Sequence, residues 1–84
     1  GYTARNRLAA IAIQAGKVDE GKALLEGILT DAPDEPQALL LRAAVRAAEN
    51  QLPDAIADLR LVLRKDDKNA KALLLLAQAY AQTK

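Results

Sequence analysis

The chain has 84 residues, enough for one small domain. Its 12 basic and 11 acidic side chains nearly cancel and are interspersed, so no concentrated basic face for nucleic acid is expected. No apolar run approaches the roughly 20 residues of a membrane span, and no secretory-leader pattern lies within these residues, so this segment is not expected to insert into a bilayer.

Alanine and leucine dominate the apolar set while aromatics are only 2%, a balance that favours close-packed helices over strands. The periodicity predicts a first helix from Thr3, a plausible N-cap, to about Ala15. Gly16-Lys17 makes a turn, glycine being suited to a left-handed backbone. A second helix runs from Asp19 to about Asp31, with Leu24, Leu25, Ile28 and Leu29 at helical spacing. Ala32-Pro33-Asp34-Glu35 breaks the chain, and Pro36 suits the first turn of a third helix reaching about Glu49. Asn50-Gln51 is the next turn, Pro53 opens a fourth helix ending near Lys65, and Asp66 to Asn69 breaks it. A fifth helix runs from about Ala70 to the end. Short connections make neighbouring helices antiparallel.

The sequence repeats itself at an offset of 34 residues. Ala4, Ala38 and Ala72 align, as do Ala9, Ala43 and Ala77. Leu40 falls on Leu74, Leu41 on Leu75, Leu25 on Leu59, Ile28 on Val62 and Leu29 on Leu63. Val18 meets Leu52, and Gly21 meets Ala55. The expected division is therefore one unit over 2–35, a second over 36–69, and over 70–84 the first helix of a truncated third.

The unit resembles the tetratricopeptide repeat. In that family a large residue is followed three later by Leu, then by a small residue, then three on by an aromatic. The third unit reads Leu73, Leu76, Ala77, Tyr80; the first reads Arg5, Leu8, Ala9, Ala12, then Gly21, Leu25 and Pro33. The second reads Leu39, Arg42, Ala43, Arg46, then Ala55 and Leu59, with Asp67 in place of the closing proline. The resemblance implies an all-α fold in which antiparallel hairpins stack as a right-handed α-solenoid. It implies a protein-binding scaffold, with the first helix of each unit lining a concave groove. Pentatricopeptide repeats, which read RNA, fit less well: their period is typically 35, and the corresponding faces here carry mostly Ala and Leu.

On that reading the partner-binding groove is Asn6, Ala10 and Ile13 from the first unit, Leu40, Ala44 and Ala47 from the second, and Leu74, Gln78 and Ala81 from the third. Gln14, Gln37 and Lys71 stand at its margins, with Gln82 beside them. Such a trough suits an extended peptide or an apolar helix face. The chaperone-tail subclass uses Lys, Asn, Asn, Lys and Arg; the matching positions are Asn6, Ala10, Leu41, Lys71 and Leu75, and only Lys71 agrees. Arg42 and Arg46 share a helix face. They offer either a contact for an external anion or, more simply, stems over apolar surface with heads reaching Asp54, Asp58 or water.

Catalysis is not expected. The chain has no His, Cys or Ser, so nothing activates its few hydroxyls. Asp34-Glu35 and Asp66-Asp67 lie where acidic residues favour a following helix N-terminus. No metal-loop or phosphate-loop spacing is present, and no cofactor is expected. The alternative function is a structural spacer or self-assembly segment. The Ala/Leu-rich texture resembles bacterial multi-repeat proteins, including envelope proteins of the exopolysaccharide-export or pilus-assembly type, with a cytoplasmic or periplasmic location left open. With no Met at position 1 the sequence reads as an excised fragment. Its cut end would leave Leu73, Leu76 and Tyr80 wet and favour a homodimer through the fifth helix.

Overall fold

The computed structural model describes residues 1–83; Lys84, the last residue of the expected third unit, lies outside them. Five helices and no strand occur among the described residues: α1 (Tyr2–Gln14), α2 (Val18–Asp31), α3 (Pro36–Ala48), α4 (Leu52–Lys65) and α5 (Ala70–Gln82). Thr3 lies inside α1 and caps nothing; the cap position is Gly1, which has no side chain to offer.

The 34-residue offset recurs in the backbone itself. Glu35 and Asn69, one offset apart, are the N-caps of α3 and α5, accepting from the backbone N–H of Ala38 at 2.8 Å and Ala72 at 2.9 Å. The second cap therefore belongs to Asn69 rather than to the Asp66-Asp67 pair. Gly16 (φ 85°) and Asn50 (φ 64°), again one offset apart, take the left-handed conformation that ends α1 and α3. In both turns the next backbone N–H reaches back five residues, Lys17 to Ala12 at 2.8 Å and Gln51 to Arg46 at 2.7 Å, closing each helix with a Schellman-type bond.

Each hairpin packs on itself, α1 on α2 and α3 on α4, and α2 then packs on α3 and α4 on α5. The first helices also touch in order, α1 with α3 and α3 with α5. One core threads all five, built from Leu25, Ile28, Leu39, Leu59 and Val62 with Ala9, Ala38, Ala43, Ala55 and Ala72 between them. These alanines are at most 1% exposed, so they are the small residues that let the helices approach. The radius of gyration is 12.0 Å, close to the ~12 Å expected for a compact chain of this length.

The two hairpins solve one contact differently. Gly21 of α2 lies against Ile13 of α1: a Cβ there would fall 2.5 Å from Ile13 Cγ1 and 3.2 Å from the Ala9 carbonyl oxygen. One offset on, the pair is Ala55 and Ala47. In the first hairpin the small residue at position 21 faces the large Ile13, whereas one offset on both positions carry only a methyl group.

Candidate functional site

Two cavities lie along the first helices. One, of about 350 Å³, is bounded by Thr3, Asn6, Arg7 and Ala10 of α1, Glu35, Gln37 and Leu41 around the start of α3, and Lys71 of α5. The other, of about 200 Å³, is bounded by Ile13, Val18, Leu41, Ala44, Val45, Ala48 and Glu49. Leu41 lines both, so the two cavities adjoin along α3 and together make up the trough, with mostly polar residues around its N-terminal end and mostly apolar ones around the other. Gln37, Leu41, Ala44 and Ala48 recur at helical spacing and form its α3 wall.

The expected groove residues divide among several places. Asn6, Ala10, Ile13, Gln37, Ala44 and Lys71 bound the trough. Leu40 does not: it is 5% exposed and part of the core. The reason is that α3 is packed by α1, α2, α4 and α5, so its apolar face is wider than a two-neighbour helix needs. Ala47 is half-buried against the same core. Gln14, Gln78 and Ala81 are exposed, as is Leu74 at 58%, and none of these four bounds either cavity. Leu41, Arg7, Thr3 and Glu35 were missing from the expected groove. Leu40 and Leu41 are both in helical step with Gln37 and Ala44, so spacing does not separate them; the role of Glu35 depends on how α1 packs against the start of α3.

Asn6 is 6% exposed, and its Nδ2 donates to Glu35 Oε2 at 2.8 Å. That carboxylate oxygen also accepts the Ala38 N–H, so one group both caps α3 and ties it to α1. The bond fixes the orientation of the Asn6 amide and leaves its buried Oδ1 without a donor. A buried acceptor left unpaired costs about 1–3 kcal/mol. Arg7 and Lys71 are exposed and make no ion pair among the described residues. Lys71 is also the second residue of α5, at the positive end of the helix dipole, where a cation is disfavoured.

The arginine pair lies outside the trough. Arg42 Nε and Nη2 donate to Asp58 Oδ2 and Oδ1 at 3.1 and 2.8 Å, and its Nη1 donates to Glu26 at 3.0 Å. Arg46 Nη1 donates to Asp58 Oδ2 at 2.9 Å. The anion that these two arginines share is Asp58, only 2% exposed. Hydrogen bonding to Asp58 raises the Arg42 pKa above its ordinary value, against the cost of burial. Two guanidinium groups and two carboxylates balance in charge while joining α2, α3 and α4.

Large apolar side chains are exposed in two places, on the first helix and on the last. At one, Leu8 and Ile11 are each 56% exposed beside a hollow of about 610 Å³ bounded also by Ala12, Ala15, Ala23 and Leu24, with Lys17 and Glu20 at its charged side. At the other, Leu73 is 47% and Tyr80 43% exposed. Leu76, expected to be wet, is half-buried against the core, and the Tyr80 hydroxyl accepts from Arg60 Nη2 at 2.8 Å. No helix among the described residues is long and apolar enough to cross a membrane. No family model matches the chain, and no curated protein or solved structure matches it.

Proposed function

We propose that this chain is a protein-interaction module of the tetratricopeptide type, holding a peptide or helix of a partner along the trough of its first helices. The observation that carries the reading is the pair of adjoining cavities along α1 and α3, which share Leu41 and are bordered by Ala10 and Ala44. Recurrence of caps and turns at the 34-residue offset supports hairpins that extend as a right-handed solenoid. The chemistry is binding rather than catalysis.

A nonapeptide display library selected on residues 1–84 tests this. Enriched peptides should lose binding to Ala44→Glu, which places a charge on the exposed apolar wall, and keep it with Arg64→Glu on the outer side of α4. No enrichment, or equal loss with both variants, would overturn the groove reading.

The exposed apolar ends favour a second reading, a spacer or self-assembly segment, and the Ala/Leu-rich texture is what suggests a larger bacterial envelope protein of the exopolysaccharide-export or pilus-assembly type. Leu73 and Tyr80 supply a face for a two-fold pairing of α5 helices. Light scattering should then show dimers at high micromolar concentration that Leu73→Lys abolishes; a monomer throughout counts against it.

A further inference from the structure

We propose that copies of this chain join head to tail, with α5 of one copy seated in the apolar hollow on α1 and α2 of the next. This rests on the self-assembly reading, but it pairs two unlike surfaces in place of two α5 helices.

The hollow is a seat for a helix with its charges removed. Leu8, Ile11, Ala12 and Ala15 line it, and they stand one offset before Arg42, Val45, Arg46 and Glu49. Those four residues border α2: they bound a cavity with Lys22, Leu25 and Glu26, and ion pairs join Arg42 to Glu26 and Glu49 to Lys22. The α2 helix thus lies on α3 at the place that is open on α1. The charges differ, and they differ together. Leu8 and Ala12 stand where Arg42 and Arg46 do, and Leu24 stands where Asp58 does, so the site of the buried charge network is carbon in the first unit. Only Lys17 and Glu20 bring charge to the border of the hollow, and their signs cancel. A helix seated there needs an uncharged face, because a charge of its own would lose water with no partner to replace it.

The α5 helix has such a face. From Ala72 to Thr83 no residue is charged, and Leu73, Ala77 and Tyr80 share one exposed side of the helix. Its polar tip, the Tyr80 hydroxyl, already accepts from Arg60. The α2 helix, by contrast, carries Lys22 and Glu26, whose partners are on α3 and its C-cap. Leu73 and Tyr80 are seven residues apart, as are Leu8 and Ala15, so both surfaces run about 10 Å along a helix. Within one copy they do not meet, since α1 and α5 make no contact among the described residues. Pairing two α5 helices would cover Leu73 and Tyr80 but leave Leu8 and Ile11 wet, whereas α5 in the hollow covers both sets. Because the surfaces differ, every copy in contact still offers one of each, and the contact propagates as a chain or closes as a ring.

Mixing two blocked variants tests the contact. Leu8→Lys places charge in the hollow and leaves α5 intact; Leu73→Lys does the reverse. Both side chains are about half exposed, so circular dichroism and melting temperature should match those of the unaltered chain. Light scattering of the unaltered chain should show assembly at high micromolar concentration. Each variant alone should associate about tenfold or more weakly. An equimolar mixture has one good hollow and one good α5, so it should form mixed dimers and nothing larger. Leu8→Lys that assembles as well as the unaltered chain, or a mixture that stays monomeric, overturns this inference and leaves the self-assembly reading standing. An unaltered chain that stays monomeric throughout overturns both.

Discussion

Leu40 and Leu74 occupy the same position of the repeat, yet one is 5% exposed and the other 58%. Val45 and Ile11 repeat the contrast, at 7% and 56%. The difference lies in the neighbours: α3 is packed by four helices, whereas α1 touches α2 and α3, and α5 touches α3 and α4. Residues one offset apart thus differ in burial because their helices differ in the number of neighbours. Apolar residues stabilise the middle hairpin and, at the ends, present surface.

The sharpest way to break that comparison is to make one change at both places. Leu40→Ala should cost about 2–5 kcal/mol of stability, and Leu74→Ala should stay within about 0.5 kcal/mol. Urea unfolding of the two variants measures this, and equal losses would mean that α5 is as enclosed as α3.

The next largest effect is expected at Asp58. Asp58→Ala leaves Arg42 and Arg46 without the carboxylate between them. Both arginines keep some solvent access, at 21% and 28%, so the loss should fall near the low end of the ~3–5 kcal/mol seen for broken buried pairs. Asp54→Ala, at an exposed carboxylate with no ion pair among the described residues, should be nearly neutral by the same measurement.

A smaller effect tests how the two hairpins compensate. Gly21→Ala gains up to about 1 kcal/mol of helix propensity and loses about 1–3 kcal/mol by crowding Ile13. With Ile13→Ala already in place, which recreates the Ala55–Ala47 arrangement, the same Gly21→Ala change should become stabilising. A double-mutant cycle should give a coupling of about 1 kcal/mol or more, and additive effects would show that the contact does not limit the spacing.

The smallest expected effect is at the ion pair between Lys65 and Asp34. The hydrogen bond and charge of Lys65 hold the Asp34 carboxyl below its ordinary value. A depressed folded-state pKa contributes stability above the unfolded-state value and loses it as pH falls through the folded one. Both side chains are more than half exposed, so this contribution is marginal. NMR titration of Lys65→Met should move the Asp34 pKa up toward the ordinary carboxylate value, with little change in melting temperature at neutral pH.

The five helices and their turns were legible because periodicity, the prolines and the Gly16 and Asn50 positions all point the same way. The groove was half legible. Gln37 and Ala44 could be placed from their spacing, but Leu40 could not be separated from Leu41 without knowing that α3 is enclosed from four sides. Asp54 and Asp58 are four apart on one face of α4, so sequence left open which of them the arginines meet. Asn6 and Glu35 are 29 residues apart, and their bond arises from the packing of α1 against the start of α3, which no local pattern encodes.

The order in which helices touch also bears on time. Contacts join each helix to the next, or to the one after that in the α1–α3–α5 series, and α1 makes none with α4 or α5 among the described residues. No distant ends of the chain must find one another before a stable contact can form. A first hairpin can therefore close locally and recruit its neighbours in turn, the regime in which helical chains fold in about microseconds to milliseconds.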